Sequence, residues 1–263
     1  DRAEQSLQEH GYDWAFEGLP AIDPTALMVV NCEAPLTVRD VLPDADVFYV
    51  PGSTTARYII YTSRGEVTRY IHRSSPVAAQ ALAVLGVDVA TLANNHALDQ
   101  GVEGLQDTRT ALESAGIAPI GAGPRQDEAL QPFITDTPHG RLAIFAFGEA
   151  GGTAPDATED DAGICALNMT NVRAARDLAR AEGVDWMVAA VHWGNNYADV
   201  LPTQEKWARR LAENDFNLVI GTGPHVVQRV DIIGRTPVVY SQGNFVFSTS
   251  GRFTEEAPGY GVI

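Results

Sequence analysis

Lysine is almost absent from this sequence of 263 residues, in which Lys206 is the only one. Acidic residues number 34 against 18 basic ones and give a formal net charge of −16. A general nucleic-acid binder and a protein that docks on anionic lipid both need a basic face, so this charge balance argues against both classes. The same charge balance does not exclude a local cationic site. Schiff-base chemistry has Lys206 as its single candidate, and we interpret this lysine as an ordinary helix residue.

Cysteine is also scarce, since Cys32 and Cys165 are the only two. Their spacing matches no metal-binding or redox motif. The sequence leaves one disulfide between them open, but Cys32 ends an apolar strand and suits a small buried hydrophobe better.

Long apolar runs are missing as well. No run reaches the ~18 residues that a membrane-spanning helix needs, and no signal peptide opens the chain. The sequence begins in a helical pattern without a preceding strand, and residues 259–263 look like the start of a strand. We therefore expect the natural chain to continue beyond both ends.

Short apolar runs that end in ligand-type side chains are the most informative pattern present. In open α/β sheets, ligands bind in the crevice beyond the carboxyl ends of the strands. Imidazole, carboxylate and amide oxygen together suit a divalent transition metal. Their joint occurrence at successive strand ends favours one shared polar site, because turn or core roles would not produce it. The runs and the residues that follow them are 27–30 with Glu33, 87–93 with Asn94, Asn95, His96 and Asp99, 186–191 with His192, and 216–220 with His225.

Each of these residues also has an ordinary structural interpretation. Asn94 and Asn95 could satisfy a turn, because Asn tolerates left-handed backbone and caps helices. His192 could be a hydrogen-bonded core histidine, His225 a loop residue, and Glu33 a turn cap. The other histidines stand in polar or hairpin contexts, and we interpret them as surface residues: His10, His72 and His139.

Periodicity and turn residues predict one α/β domain without internal repeats. A hairpin of strands 57–62 and 67–72, lying within 51–75, is a candidate insertion. The stretch 148–166 is predicted to be a solvated, mobile loop with an acidic surface run at 159–161. The other predicted strands are 27–31, 47–50, 87–93, 117–120, 141–147, 186–192, 216–220, 226–233 and 237–241, and the predicted helices are 75–86, 102–115, 170–182 and 203–213.

Six sequence motifs occur in a fixed order along the chain. They are N-C-E-A-P-L-T at 31–37, L-A-N-N-H-A-L-D-Q-G at 92–101, I-G-A-G at 120–123, H-W-G-N-N-Y at 192–197, G-T-G-P-H-V-V-Q at 221–228 and Y-S-Q-G-N-F-V-F at 240–247. In this order they resemble the poly-γ-glutamate capsule-synthesis proteins of the CapA type, which are similar to calcineurin-like metallophosphoesterases. The resemblance covers essentially the whole chain and implies a single domain over 1–263. It also implies a four-layer α/β/β/α sandwich of two mixed sheets, which the strand count alone does not favour over one doubly wound sheet.

The resemblance further implies roles for individual residues. His96 matches the residue that protonates the leaving group or steadies the transition state, and Asp99 would orient and polarise it. One or two divalent ions, of Mn, Zn or Fe, are implied as cofactor. The residues that match metal ligands are Glu33, Asn95, His192 and His225, and those expected at the substrate-binding rim are Asn94, Asn196, Gln228 and Asn244.

Three departures from the family pattern bear on the metal count. An opening strand that ends in Gly-Asp is missing from this sequence. Thr222 and Gly223 stand where the family has a further His, and Asn195 and Asn196 stand where a Glu often follows His-Trp-Gly. A site with these donors would hold one metal ion, two or none.

The resemblance implies an extracytoplasmic, membrane-associated or cell-surface protein that helps to make, transport or anchor poly-γ-glutamate or a related anionic polymer. Its expected partners are that polymer and other capsule-synthesis membrane proteins, with no nucleic acid. Metal-assisted hydrolysis or transfer at a phosphoester or amide is the expected reaction if the site is catalytic. Two alternatives stay open: a polymer-binding scaffold that has lost turnover, and a soluble phosphodiesterase or nucleotidase.

Overall fold

A computed structural model describes residues 7, 9–16, 19, 23, 25–41, 47–49, 56–62, 65–149 and 154–245 of the chain. Its strands are β1 (Met28–Asn31), β2 (Val47–Tyr49), β3 (Ala56–Thr62), β4 (Gly65–Ile71), β5 (Val87–Thr91), β6 (Ala118–Ile120), β7 (Ala122–Gly123), β8 (Phe133–Thr137), β9 (Gly140–Gly148), β10 (Gly163–Ile164), β11 (Trp186–His192), β12 (Leu218–Thr222), β13 (Val230–Ile233) and β14 (Thr236–Val239). Its helices are a 3₁₀ helix (Tyr12–Phe16), α1 (Ala78–Leu85), α2 (Gly101–Ser114), α3 (Gln126–Ala129), α4 (Met169–Ala181) and α5 (Pro202–Ala212).

Two sheets, one of three described strands and one of six, form the centre of the fold. The first has the order β1-β5-β6 and is parallel throughout. The second has six strands in the order β13-β14-β12-β11-β9-β8, with parallel pairing at its centre and an antiparallel strand at each edge. Parallel pairing places the carboxyl ends of neighbouring strands at one edge of each sheet.

Three apolar clusters show how the layers stack. The middle cluster joins the two sheets, with Val89 and Ile120 of the first sheet in one core with Ile144 and Ala146 of the second. The other face of the first sheet packs against α1 and α2, and the other face of the second packs against α4 and α5. This confirms the α/β/β/α sandwich that the resemblance implied. The first sheet differs from the expected mixed type, because its three described strands are all parallel.

The predicted hairpin is present, since β3 pairs antiparallel with β4, and β2 lies at the edge beside β3. Whether this small sheet is an insertion stays a prediction. None of the helices in the described ranges is long and apolar enough to cross a membrane.

Helix starts differ from the sequence prediction. Ser75 and Pro76 form a turn that precedes α1 and do not belong to the helix, although Gly86 ends it in the left-handed conformation as expected. Asn168, not Thr170, caps α4 by accepting a hydrogen bond from the backbone N of Asn171 at 2.9 Å. At the start of α4, Asn168 and Thr170 have similar capping ability, so the sequence alone does not select between them, whereas α1 begins after Val77 without a side-chain cap.

The stretch 154–166 is not the solvated loop predicted from its composition. Ala157 and Ile164 are buried, and β10 within this stretch pairs with β7. Its small residues permit this close packing: a Cβ on Gly163 would lie 2.4 Å from the backbone N of Ala157. The acidic run 159–161 is exposed, as predicted, and so are residues 155, 156 and 158.

Both cysteines are free thiols, so the disulfide that the sequence left open is not formed. Cys32 packs against the cluster between the first sheet and its helices, whereas Cys165 belongs to the cluster on the helix side of the second sheet. Burial, opposed by a hydrogen bond from Gln126 and aided by nearby Asp156, raises the pKa of the Cys165 thiol from 9.0 to about 12.

Gly121 lies at a close approach between the two sheets and gives the first test of their packing. Its φ is +90°, and an added Cβ would lie 2.6 Å from the Cβ of Ala146 and 2.8 Å from that of Ala93. We expect Gly121→Ala to lower the free energy of unfolding in urea by about 2–5 kcal/mol, from left-handed strain plus overpacking. Gly116→Ala is the matched control, because Gly116 has φ +83° and nothing within 4 Å of an added Cβ. Equal losses in both variants would contradict this packing.

Cys165 predicts a stability change in alkaline solution. The unfolded thiol ionises near pH 9, but the folded thiol keeps its proton to about pH 12. The stabilisation is therefore complete below pH 9 and is lost as the pH rises from 9 to 12. At pH 10 the wild type should have lost about 1 kcal/mol more of its free energy of unfolding than Cys165→Ala, each relative to its value at pH 8. If the free energy of unfolding falls equally with pH in the two proteins, the raised pKa of Cys165 is refuted.

Candidate functional site

Glu33 lies at the centre of a group of histidines beyond the carboxyl ends of the strands. Burial by itself raises the pKa of the Glu33 carboxyl, but the imidazoles of His192, His225, His96 and His72 lower it more, so that its net pKa is below the usual value. Glu33 is therefore an ionised carboxylate in neutral solution. Residues that follow four separate strands, β1, β5, β11 and β12, thus come within electrostatic range of one another, and His72 joins them from the end of β4.

Asn94 joins the ends of β1 and β5. It is fully buried, and its Nδ2 donates to Asn31 Oδ1 at 3.2 Å and to the backbone O of Cys32 at 3.0 Å. Its Oδ1 accepts from the backbone N of His96 at 3.1 Å. Asn31 in turn donates to Glu33 Oε2 at 3.3 Å. Because these bonds engage both ends of its amide inside the protein, the placement of Asn94 favours a positioning role over the predicted contact with substrate.

His96 and Asp99 form a short hydrogen-bonded pair. His96 Nδ1 lies 2.7 Å from Asp99 Oδ2, and the Asp99 side chain is completely buried whereas 13% of the His96 side chain is exposed. A carboxylate that accepts from Nδ1 selects the tautomer in which Nε2 is the basic nitrogen. This is the arrangement of an oriented general acid or base.

His192 and His225 are held through their Nδ1 atoms. His192 Nδ1 lies 3.3 Å from Thr222 Oγ1, and His225 Nδ1 lies 2.9 Å from Asn244 Oδ1. Since Asn244 Oδ1 can only accept, His225 carries its proton on Nδ1 and its lone pair on Nε2. Burial lowers the pKa of His192 despite the opposing effect of Glu33, so this imidazole is neutral in neutral solution. A neutral imidazole with an oriented ring is the form that binds a metal.

The backbone around His225 is unusual. His225 has a φ of 61° and Tyr197 a φ of 58°, both in the left-handed region that residues with a Cβ rarely adopt. The backbone N of Tyr197 donates to the O of Pro224 at 2.7 Å, and the two rings lie with centroids 5.7 Å apart. Such strained positions persist where the surrounding structure holds them, and they cluster at functional sites.

The other residues considered for the site differ in their exposure to solvent and in their contacts. Asn196 is exposed, and Asn95 is half-buried next to His96 in the chain. Gln228 is buried, where its Nε2 donates to the backbone O of Ala198 at 3.0 Å and its Oε1 accepts from Gln204 at 2.9 Å. Gln228 therefore braces the loop after β11, and Asn244 contacts the site through His225.

Sequence analysis missed two residues at this site. His72 is half-buried with its ring against that of His96, so its interpretation as a surface residue was wrong. Glu149 directly follows β9, its backbone N donates to the O of His192 at 2.9 Å, and its Oε2 accepts from the N of Gly194 at 3.0 Å. Both follow strands, which is the signal used for the other residues and could have found them. His10 and His139 are exposed, as predicted.

The side chains gathered around Glu33 are of the types that bind divalent ions. A buried carboxylate, two oriented imidazoles and an amide are the mixed oxygen and nitrogen donors that a divalent transition ion prefers. Of the two positions where the family has a further His, Thr222 offers no imidazole, and Gly223 leaves no space for a side chain because it has a φ of +116° and its Cβ would lie 2.5 Å from the O of Trp193. Over the described ranges, no three His, Cys, Asp or Glu side chains are arranged to hold a metal.

Asn94 gives a direct test of how the site is assembled. Asn94→Ala would leave a buried carbonyl, an amide oxygen and a backbone N–H without their partner, so we expect it to lower the free energy of unfolding by about 3 kcal/mol. Asn196→Ala is the control, since Asn196 is exposed and the change should cost less than about 0.5 kcal/mol. Urea denaturation measures both. A loss below 1 kcal/mol for Asn94→Ala would contradict the positioning role.

Comparison with known proteins identifies the family. The family described as bacterial capsule synthesis protein PGA_cap matches residues 1–249. The capsule biosynthesis protein CapA of Bacillus anthracis is 28% identical over 183 residues, which cover 68% of this chain and 44% of that protein. The PGA biosynthesis protein CapA of Bacillus subtilis is 24% identical over 212 residues, which cover 80% of this chain and 56% of that protein. This chain therefore spans about half the length of the curated relatives it matches.

Among solved structures, the NAD nucleotidase NadN of Haemophilus influenzae is 16% identical with a TM-score of 0.44, and the match covers 64% of this chain and 32% of that one. This likeness is too distant to support an activity. The family match extends over most of the chain and includes every strand end that contributes to the site. The chain belongs to the family of bacterial capsule synthesis proteins, PGA_cap.

Proposed function

We propose that this chain is the metallophosphoesterase-like part of an accessory protein in capsule or poly-γ-glutamate synthesis, and that it hydrolyses or transfers a phosphoester or amide group. The observation that carries the proposal is the His96–Asp99 pair beside the Glu33 carboxylate and the oriented imidazoles of His192 and His225. A site that had kept only a structural role would not need an acid-base pair next to metal-type donors.

His96 is the proposed general acid. Asp99 holds its ring through Nδ1 and stabilises the imidazolium, which leaves Nε2 as the atom that gives its proton to the departing oxygen or nitrogen. Asn94 fixes the backbone at His96, which keeps the general acid at a constant position relative to Glu33. Such proton transfer contributes about 10²–10⁴ to the rate of an enzyme.

A divalent transition ion, of Mn, Zn or Fe, would be held by Glu33, Asn95, His192 and His225. When bound, such an ion activates a water and polarises the group under attack. The residues around these ligands are already engaged in orienting them: Asn31 with Glu33, Thr222 with His192, and Asn244 with His225. We propose one ion, because Gly223 leaves no room for a further ligand from the closing loop.

An anionic polymer such as poly-γ-glutamate is the proposed substrate or bound partner, with other capsule-synthesis membrane proteins as further partners. The net charge of −16 repels such a polymer unless the local field is reversed. Arg73, Arg125 and Arg229 do not reverse it, because each is paired with acidic neighbours, and Arg252 lies outside the described residues. The pairs are Arg73 with Asp40, Arg125 with Asp127 and Glu128, and Arg229 with Glu205 and Asp231. The metal site would therefore be the point of contact, and the proposed location is the cell envelope.

A second candidate is a polymer-binding scaffold without turnover. One observation favours it: over the described part of the chain, the His, Cys, Asp and Glu side chains form no metal-binding group of three. Such a scaffold would keep the fold and the cleft but would not hold an ion.

Metal content separates the two candidates. For protein purified without chelator or added metal, mass spectrometry should find close to one transition ion per chain. His225→Ala should weaken metal affinity by more than the ~10–100-fold that the loss of a hydrogen-bond partner of a ligand costs, because it removes a ligand itself. His96→Ala should keep the ion but lower the hydrolysis of diphenyl phosphate, whose poor leaving group needs a proton, by about 10²–10⁴-fold. His139→Ala, at an exposed histidine, is the control for both measurements.

The proposed hydrolase function would be refuted by a wild-type protein that takes up no metal, even with added Mn²⁺ or Zn²⁺, and hydrolyses no phosphodiester. Binding of poly-γ-glutamate by such a protein would then establish the scaffold. Metal-dependent binding, abolished by chelator, would instead support the contact through the ion.

A further inference from the structure

His72 is the one histidine of the site that the family motifs do not include. It directly follows β4, the last strand of the small sheet β2-β3-β4, and it is half-buried. Its ring lies against that of His96, with centroids 4.2 Å apart and planes at 78°. This is an edge-to-face contact, which restricts the rotation of the His96 ring about its side-chain bonds.

The backbone of His72 contacts the same pair. Its N donates to Asp99 Oδ2 at 2.6 Å, which is the oxygen that lies 2.7 Å from His96 Nδ1. Its O accepts from Gln100 Nε2 at 3.3 Å, and Gln100 Oε1 accepts from the backbone N of Val41 at 2.8 Å. One residue therefore contacts both members of the acid-base pair and is itself tied to the segment that follows them.

The charge state of His72 suits close packing against another imidazole. Burial and, to a smaller extent, the charge on His96 lower the pKa of His72 to about 3, and Glu33 only partly opposes them. The ring is therefore neutral in neutral solution. It can stay against His96 when His96 becomes an imidazolium, because a neutral ring adds no like-charge repulsion.

We propose that His72 is a positioning residue, which holds the His96 ring and the Asp99 carboxylate in register for proton transfer. The inference rests on the proposed function, because it assigns His72 a part in the action of His96 as general acid. It also gives the β2-β3-β4 sheet a role, since β4 delivers this residue to the site.

Three variants separate positioning from packing. His72→Ala removes the ring, whereas His72→Phe keeps an aromatic ring against His96 but lacks the imidazole nitrogens. The matched control is Ile71→Ala, because Ile71 is the buried neighbour of His72 and only 3% exposed. Urea denaturation shows how much each change lowers the free energy of unfolding.

Leaving-group dependence is the first measurement. A general acid matters more when the leaving group is a poor one, so phenyl and p-nitrophenyl phosphodiesters are compared in the presence of Mn²⁺. We expect His72→Ala to lower kcat for the phenyl ester by about 10–100-fold and for the p-nitrophenyl ester by about 3-fold at most, with KM unchanged. His72→Phe should recover most of the phenyl-ester rate. Ile71→Ala should affect both esters equally.

The second measurement does not require turnover. Nitrogen NMR of the imidazoles reports the tautomer of His96, which should be a single Nδ1–H form in the wild type and in His72→Phe. In His72→Ala it should become a mixture of tautomers. A wild type without activity would therefore refute the proposed function while the tautomer still tests the role of His72. An unchanged tautomer in His72→Ala, or equal effects on the two esters, would overturn the inference.

Discussion

The buried amide of Asn94 is the interaction on which the site depends. It bridges β1 and β5 at their carboxyl ends, reaching Glu33 through Asn31 on one side and the backbone of His96 on the other. A buried amide is costly unless its donors and its acceptor are satisfied, so this network allows one relative position of the two strand ends. A carboxylate and an acid-base histidine from distant parts of the chain are thereby kept at a constant separation.

The packing between the sheets brings the remaining strand ends to the same place. Gly121 and Gly148 leave space that Ala93 and Ala146 fill, and a Cβ on Gly148 would lie 2.3 Å from the O of Ala93. The end of β9 therefore lies directly against the segment that follows β5. Close approach of this kind is available only to glycine and alanine, and it places residues of both sheets around one carboxylate.

The ionisation of the side chains at the site depends on their close neighbours rather than on the net charge of the chain. In a chain with a net charge of −16, the imidazoles around the buried Glu33 carboxylate lower its pKa, while burial lowers the pKa values of His72 and His192 so that both rings are neutral in neutral solution. Neutral imidazoles and an ionised carboxylate are what a divalent ion requires of its ligands. The same cluster would be a poor site for a free anion, which is why the proposed contact with an anionic polymer runs through an ion.

Local pattern in the sequence determined the strand ends, the β3–β4 hairpin, the His96–Asp99 spacing and the family, because each of these depends on residues near one another in the chain or on the order of motifs. Only the tertiary structure decided which residues touch. It made Asn94 and Gln228 internal braces, brought His72 from the small sheet onto His96, placed Glu149 beside His192, and buried Cys165 within a stretch whose composition suggested a loop. The physical reason is that these contacts join segments distant in sequence, and the packing of four layers fixes them where local propensity cannot.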